Sequence, residues 1–345
     1  MGMQQTWFVL IAILFTGYFV LEGFDFGVGM LMPIIGHGSN LRKRVLLNTI
    51  GPVWDGNEVW LITAGGTLFA AFPEWYASMF SGFYLALLLL LFSLILRVCA
   101  IEYRGKINDP KWRQWADVGI YIGSYVPALA WGWVFANLVR GVPLGPDKYI
   151  TGSVSSLLSP YALLGALATC SLFLFQGAVY LTLKTSGEVR DSAMRIVKIL
   201  IVPTALILGG FALWTQIAYG KGWTWAMVAV AVLGLVVAFA ANAAGRDGWA
   251  FVGSSTTVVG ASVLLFGSLF PNVMPSTINP DYSLTLYNAS SGHYTLVVMF
   301  VAVAIFFPFV LIYQGWAYWV FRGRIGEKMI PPNTGLPPML TQLKG

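Results

Sequence analysis

Residues 223–244 read WTWAMVAVAVLGLVVAFAANAA, a stretch of apolar residues without a charged side chain. A helix needs about 20 apolar residues to cross the hydrocarbon core of a bilayer, and this stretch is long enough. Similar stretches recur along the chain, without the long alternation of apolar and polar residues that is typical of a membrane β-barrel. The sequence therefore predicts an all-α, polytopic membrane protein.

The composition of the chain supports this fold class and excludes others. Of 345 residues, 57% are hydrophobic and only 10% are charged, whereas a soluble domain carries about 25% charged residues. The chain cannot cover a globule of its size with polar side chains. This excludes a soluble enzyme, a disordered chain and a nucleic-acid-binding protein, and we attribute the formal net charge of +6 to loops between membrane spans.

We predict nine transmembrane helices, arranged as two four-helix units and one appended peripheral helix. The predicted spans are 7–34, 48–72, 77–101, 116–138, 159–183, 195–218, 223–244, 249–270 and 293–321. The predicted regions are, in order, 1–140 (first unit), 141–158 (extracytoplasmic loop), 159–270 (second unit), 271–292 (extracytoplasmic loop), 293–321 (ninth helix) and 322–345 (cytoplasmic tail).

A short pattern that recurs in three predicted spans supports this division. Glu22-Gly23, Gln176-Gly177 and Gln314-Gly315 each place a polar residue before glycine in an aromatic-rich helix. Duplication of a unit would produce this pattern. Chance combined with close helix packing at glycine explains it equally well.

The distribution of basic residues sets the predicted orientation. Seventeen of the 20 Lys and Arg residues, Arg97 among them, are assigned to odd-numbered spans and the segments that follow them, and only Arg140, Lys148 and Lys221 follow even-numbered spans. Because cytoplasmic loops are enriched in Lys and Arg, we place the N-terminus outside and the C-terminus in the cytoplasm. The first apolar stretch has neither a preceding basic region nor a cleavage site, so we expect it to be retained.

Four acidic residues lie well inside predicted spans: Glu22 and Asp25 in the first, Asp55 and Glu58 in the second. Charge within a membrane costs at least a few kcal/mol per group and is rare without a use. The members of each pair are three positions apart, which places both on one helix face. Both pairs lie roughly 10–18 Å from the cytoplasmic ends of their helices. We therefore expect a cluster of four carboxyls that opens towards the cytoplasm.

Three uses of this cluster are compatible with the sequence. Carboxyls that are close together in a low dielectric cannot all ionise, and a partly protonated chain of carboxyls can conduct protons. Alternatively, a permanently protonated cluster ties two helices together, or carboxylate oxygens bind Na⁺ or Ca²⁺. Because intramembrane acids are energetically costly, we favour proton conduction over a structural role.

The sequence predicts no metal and no redox centre in this chain. His37 lies in the predicted loop after the first span and His293 at the outer end of the ninth, so neither is within the membrane. Haem usually takes an axial His, Met, Cys or Tyr, and the 11 Met residues are typical packing residues of apolar helices. We assign the aromatic residues to the membrane interfaces, with a groove for an isoprenoid quinone tail as the alternative.

Two motifs around the four acids resemble one family of membrane proteins. Residues 23–29, GFDFGVG, and residues 51–61, GPVWDGNEVWL, resemble the signature of subunit II of cytochrome bd quinol oxidases. Residues 268–275, SLFPNVMP, and the segment 308–322 are also similar, and the resemblance extends from residue 7 to about residue 325. Subunit II of the cyanide-insensitive oxidases, a close relative, is similar at this level.

The resemblance implies a haem-free subunit, paired with a subunit I that carries haem b and haem d, in the bacterial cytoplasmic membrane. The complex oxidises quinol and reduces O₂ to water with protons from the cytoplasm. The resemblance places Asp55 in the proton path and Asp25 beside it. Our own expectation is that Glu22 and Glu58 extend this path or tune the pKa values of the two Asp residues. Some members hold a structural quinone in this subunit, and membrane lipid and a small accessory subunit are further expected partners.

Two other functions remain open on the sequence. A stand-alone transporter driven by protons would use the same acids, and Pro203 and Pro308 are where its helices would break. A structural scaffold would only bury and stabilise the haem-bearing subunit.

Overall fold

The computed structural model describes residues 2–152, 154–332 and 336. Its eleven α-helices are α1 (Met3–Ile35), α2 (Asn40–Ile50), α3 (Trp54–Ala71), α4 (Pro73–Gly82), α5 (Tyr84–Tyr103), α6 (Pro110–Arg140), α7 (Pro160–Lys184), α8 (Glu188–Ala218), α9 (Trp225–Ala243), α10 (Asp247–Leu269) and α11 (His293–Val320). Two short antiparallel strands, β1 (Asn272–Met274) and β2 (Leu284–Thr285), precede α11. Residues 333–335 and 337–345 of the predicted tail lie outside the described residues.

The apolar stretches form the long helices that the sequence predicts. Among the described residues, eight helices are long and apolar enough to cross a membrane: α1, α5, α6, α7, α8, α9 with the turn before it, α10 and α11. The prediction of a helical, polytopic membrane protein is therefore confirmed. The remaining predicted span corresponds to α3, which is 18 residues long and more polar, so the number nine stays a prediction.

Two predicted spans do not form single helices, and their predicted boundaries are wrong. The stretch 48–72 begins in α2, which ends at Ile50, and a turn through Pro52 separates α2 from α3. Proline has no backbone N–H and clashes with the preceding helical turn, so the chain bends here. The stretch 77–101 is divided between α4 and α5 at Phe83.

Ion pairs join the connections at one end of the helical bundle. Arg42 on α2 contacts Glu188 at the start of α8. Asp247 at the start of α10 lies 2.9 Å from Arg190 of α8 and 2.6 Å from Arg324 after α11. We call this end the basic face, because it carries the connections with the surplus of Lys and Arg.

Backbone hydrogen bonds join the two long loops at the opposite end. The amide of Val142, in the loop 141–158, donates to the carbonyl oxygen of Pro275, in the loop 271–292, over 3.0 Å. The ammonium group of Lys148 donates to the carbonyl oxygen of Tyr282 over 3.1 Å. The two loops therefore pack together on the face opposite the basic face.

The central helix α1 packs against α3, α6, α7 and α10, and glycines bring it closest to α7. A Cβ atom on Gly27 would lie 2.1 Å from the carbonyl oxygen of Phe173, and one on Gly177 would lie 2.5 Å from the Cα of Gly27. The two backbones therefore touch. Beside them, Nε2 of Gln176 donates to the carbonyl oxygen of Val20 over 3.0 Å, so the polar residue and the glycine both serve helix packing.

The last helix, α11, lies on the outside of the bundle. Among its described residues Leu296 alone is buried. Helices α3 and α5 also present apolar side chains outward, including Ile62 and Phe92. Pro203 and Pro308 lie inside α8 and α11, which continue past them, so neither proline divides a helix into two halves.

Candidate functional site

The structure brings three of the four predicted acids together around α1. Glu22 and Asp25 are completely buried and Glu58 of α3 is partly buried. Asp55, in the first turn of α3, is exposed. The expected convergence of carboxyls thus holds for Glu22, Asp25 and Glu58, whereas Asp55 lies on the outer side of its helix.

Arg97 of α5 binds two of these carboxyls. Its Nη1 contacts Oε1 of Glu22 and lies 3.2 Å from Oε1 of Glu58. The guanidinium carbon lies 4.9 Å from the centre of the Phe26 ring, and the side chain is completely buried. We call Glu22, Glu58 and Arg97 the arginine group. The assignment of Arg97 to the loop charges was wrong, because Arg97 lies inside the bundle.

Close packing of α5 on α6 holds Arg97 in place. A Cβ atom on Gly123 of α6 would lie 2.3 Å from the Cβ of Arg97, so only glycine allows this approach. A buried charge is stable only when it is paired, and Arg97 meets its counterions on α1 and α3. The arginine group therefore ties α5 to both helices.

Asn57 of α3 connects Asp25 to α11. Its Nδ2 donates to Oδ2 of Asp25 over 2.6 Å. Its Oδ1 accepts from the hydroxyl of Tyr318 over 2.7 Å and from Nε2 of Gln314 over 3.1 Å. We call Asp25, Asn57, Gln314 and Tyr318 the asparagine group. Among the described residues Oδ1 of Asp25, like Oε2 of Glu22, is buried without a hydrogen-bond partner.

The two groups lie at the same depth because of the turn before α3. Asp25 lies ten residues before the end of α1 at Ile35, or about 15 Å along the helix axis. Helix α2 and the turn at Pro52 return the chain into the bundle. The first turns of α3 then place Asn57 opposite Asp25 and Glu58 opposite Arg97.

A cavity of about 240 Å³ lies beside the asparagine group. Its lining includes Asn48, Val53, Tyr180, Lys184, Tyr318 and Arg324. The Tyr318 hydroxyl bonds to Asn57, while Arg324 belongs to the ion pairs of the basic face. The cavity thus extends from the basic face to a side chain that is hydrogen-bonded to the partner of Asp25.

A larger cavity of about 910 Å³ lies between α1, α10 and α11. Its lining is almost entirely apolar and includes Phe8, Ala12, Trp60, Trp223, Phe266 and Phe270. Gln314 and Tyr318 also line it, so the asparagine group separates the large cavity from the small one. A long apolar molecule fits this lining better than a polar one.

The histidines lie far from both groups. His37 follows the end of α1 on the basic face, His293 begins α11 at the opposite end, and both are exposed. Among the described residues no three His, Cys, Asp or Glu side chains are placed to hold a metal ion. Neither histidine is therefore a buried side chain that could bind a haem. The absence of a redox centre in this chain stays a prediction.

Four residues of the site were not predicted from the sequence: Arg97, Asn57, Gln314 and Tyr318. A cation inside an apolar predicted span needs a partner, and this was the available signal for Arg97. Asn57 stood between two intramembrane acids, and Gln314 belonged to the recurring polar-glycine pattern. Tyr318 carried no signal, because α11 contains several other aromatic residues.

A sequence model of the family described as cytochrome bd terminal oxidase subunit II matches residues 3–321. The chain belongs to this family. Cytochrome bd ubiquinol oxidase subunit 2 of Bacillus subtilis (strain 168) is 39% identical over 335 residues, which cover 95% of this chain and 98% of the relative. Cytochrome bd-I ubiquinol oxidase subunit 2 of Escherichia coli (strain K12) is 36% identical over 368 residues, which cover 95% and 96%.

A solved structure of bd oxidase from Geobacillus thermodenitrificans shares the fold. The TM-score is 0.76 at 18% sequence identity, over 93% of this chain and 97% of that chain. Family membership confirms the resemblance of the motifs around the acids. The chain is a subunit of a cytochrome bd oxidase, an oxidoreductase complex, and a multi-pass protein of the bacterial cytoplasmic membrane. The intramembrane acids of this chain can therefore be explained without a stand-alone transporter.

Proposed function

We propose that this subunit conducts cytoplasmic protons through its intramembrane carboxyls to a haem-bearing subunit I, where O₂ is reduced to water. The observation that carries this proposal is the hydrogen-bonded line from the small cavity through Tyr318 and Asn57 to Asp25. In this proposal the basic face lies in the cytoplasm, this chain binds no haem, and subunit I holds haem b and haem d. Quinol and O₂ are substrates of the whole complex.

Within this path Asp25 is the relay carboxyl. Its hydrogen-bond partner, Asn57, is a neutral amide, so Asp25 gains and loses a proton without breaking an ion pair. Glu22 is held by the buried guanidinium of Arg97, and moving a proton onto it would leave the partly buried Glu58 as the remaining counterion of that cation. We therefore assign Glu22 and Glu58 to tuning the charge around Asp25.

Asp55 is the proposed link to subunit I. It lies on the outer side of α3, near the exposed apolar surfaces of α3, α5 and α11. A carboxyl that faced lipid at this depth would be costly, so we infer that subunit I covers it. Subunit I would then pack on this surface and receive protons beside Asp55.

The test is the substitution Asp55→Asn in the whole complex. Loss of one relay carboxyl is expected to slow quinol-dependent O₂ reduction about 10²-fold, with the haem spectrum and the amount of subunit I unchanged. Asp55→Glu keeps the carboxyl and serves as the control. Loss of haem together with activity would make Asp55 structural, and full activity in Asp55→Asn would favour the scaffold function.

We also propose that the large apolar cavity holds the isoprenoid tail of a structural quinone. Its volume and apolar lining support this occupant, and Gln314 offers an amide to the polar ring. Val259→Trp, which places an indole in the cavity, is expected to lower the amount of quinone extracted per haem. Val236→Trp, on the exposed side of α9, is the matched control. Equal quinone in both variants would contradict the proposal.

A further inference from the structure

Three arginines surround a cavity of about 190 Å³ on the basic face, away from the acids of the candidate site. Arg44 lies on α2, Arg104 lies directly after α5, and Arg113 lies in the first turn of α6. Leu47 and Ile101 supply apolar lining. The cavity thus joins a cationic rim to an apolar wall.

The positive charge of this cavity is not balanced by its surroundings. Asp117 lies 2.6 Å from Nε of Arg104, but it also lies 2.8 Å from Nζ of Lys43, so two cations share one carboxylate. Arg113 donates from Nη2 to the neutral side chain of Asn108 over 2.6 Å. Among the described residues no carboxylate forms an ion pair with Arg44 or Arg113.

The environment of Arg44 disfavours its positive charge. Burial, and after it the charges of Arg113 and Arg104, lower the pKa of Arg44 below its usual value. Like charges that lie close together repel one another, and an anion placed between them would offset this repulsion. Arginine presents several N–H donors in one plane and matches the oxygens of a phosphate group.

We propose that Arg44, Arg104 and Arg113 bind the phosphate group of an anionic phospholipid, whose acyl chains lie against Leu47 and Ile101. The level of the cavity supports a lipid rather than a free phosphate ion. Tyr103 and Trp115, on the helices that flank it, are exposed, and such aromatic residues mark the headgroup region of a membrane. Anionic lipids of the cytoplasmic leaflet are attracted to clustered Lys and Arg at this level.

The experiment uses the purified whole oxidase and native mass spectrometry with added phosphatidylglycerol. The double variant Arg44→Gln/Arg113→Gln is expected to weaken binding of the tightest lipid roughly thirtyfold. Lys106→Gln/Lys111→Gln removes two exposed charges of the same connection outside the cavity and is expected to leave this binding unchanged. Equal weakening in both double variants would show non-specific attraction and overturn the proposal.

A second variant protects the test against misfolding. Gly105 lines the cavity and has open space where a Cβ would lie, so Gly105→Glu places a carboxylate among the arginines without removing one. It is expected to abolish binding of the tightest lipid while the haem spectrum stays normal. Retained lipid in Gly105→Glu would contradict the proposal.

Two further measurements distinguish a bound lipid from other anions in the cavity. Inorganic phosphate alone is expected neither to displace the phosphatidylglycerol nor to raise the melting temperature of the complex, and displacement would identify a free anion as the ligand. Cysteines at position 44 and in subunit I are expected not to cross-link. A cross-link would show that subunit I covers the cavity and would overturn the proposal.

Discussion

The arginine group and the asparagine group lie at one depth beside α1, yet they hold their carboxyls in opposite ways. Glu22 contacts a buried guanidinium, whereas Asp25 is bonded to a neutral amide. The two acids are three residues apart on one helix, so the difference arises from the neighbouring helices. Arg97 of α5 fixes the Glu22 carboxylate in an ion pair. Asn57 of α3 gives Asp25 only a neutral hydrogen-bond partner, so this carboxyl remains able to exchange a proton.

The largest effect is expected from Arg97→Met, which removes the cation of the arginine group. Glu22 would remain completely buried without a counterion, and breaking a buried ion pair costs about 3–5 kcal/mol. We expect the complex to be lost from membranes, measured as haem d absorbance per milligram of protein. Lys106→Met, at an exposed position of the next loop, is the control and keeps normal absorbance.

A double variant sharpens this result. Adding Glu22→Gln to Arg97→Met removes the uncompensated charge, so part of the haem absorbance is expected to return. Residues in direct contact have effects on stability that do not add. Such a recovery would therefore indicate that Glu22 and Arg97 form an ion pair. If the double variant is worse than Arg97→Met alone, Glu22 contributes something other than the charge of this pair.

The next effect separates Asp25 from Glu22 directly. Asp25→Asn keeps the shape of the side chain but cannot carry a proton, so O₂ reduction is expected to fall about 10²- to 10⁴-fold with normal haem content. Glu22→Gln leaves Arg97 short of a counterion, and we expect it to lower haem content. Turnover and the reduced visible spectrum are measured on the same preparations. Identical behaviour of the two variants would remove the distinction between the groups.

The helices were largely predictable, because each of them depends on the apolar residues in its own stretch of sequence. Apolar stretches of membrane-spanning length appear as α1 and α5 to α11, since a bilayer allows little else. The breaks at Pro52 and Phe83 were missed, because hydropathy averages over the residues that interrupt a helix. The second break follows Ser81-Gly82, a local turn signal that the apolar residues on both sides outweigh in a hydropathy average.

The acids of the site were predictable, but their partners were not. Glu22, Asp25 and Glu58 are recognisable because a charge in an apolar stretch is rare. Arg97 approaches them only because Gly123 lets α5 lie close to α6, a contact between helices that no spacing along the chain reveals. The exposed position of Asp55 likewise depends on the rotation of α3 about its axis.

The smallest effect concerns the hydroxyl of Tyr318, which joins the asparagine group to the small cavity. Tyr318→Phe keeps the ring in both cavities and removes one hydrogen bond to Asn57, worth about 1 kcal/mol. Gln314 still holds Asn57, so O₂ reduction is expected to fall only severalfold, with normal haem content. Tyr313→Phe, at an exposed position of the same helix, is the matched control.

The size of this effect distinguishes two roles of the hydroxyl. A severalfold decrease means that Tyr318 orients Asn57, and protons reach Asp25 through water in the cavity. A decrease as large as that of Asp25→Asn means that delivery of the proton to Asp25 depends on the hydroxyl itself and not only on the orientation of Asn57. No decrease would place the path elsewhere around Asp25, since the small cavity reaches the asparagine group through Tyr318.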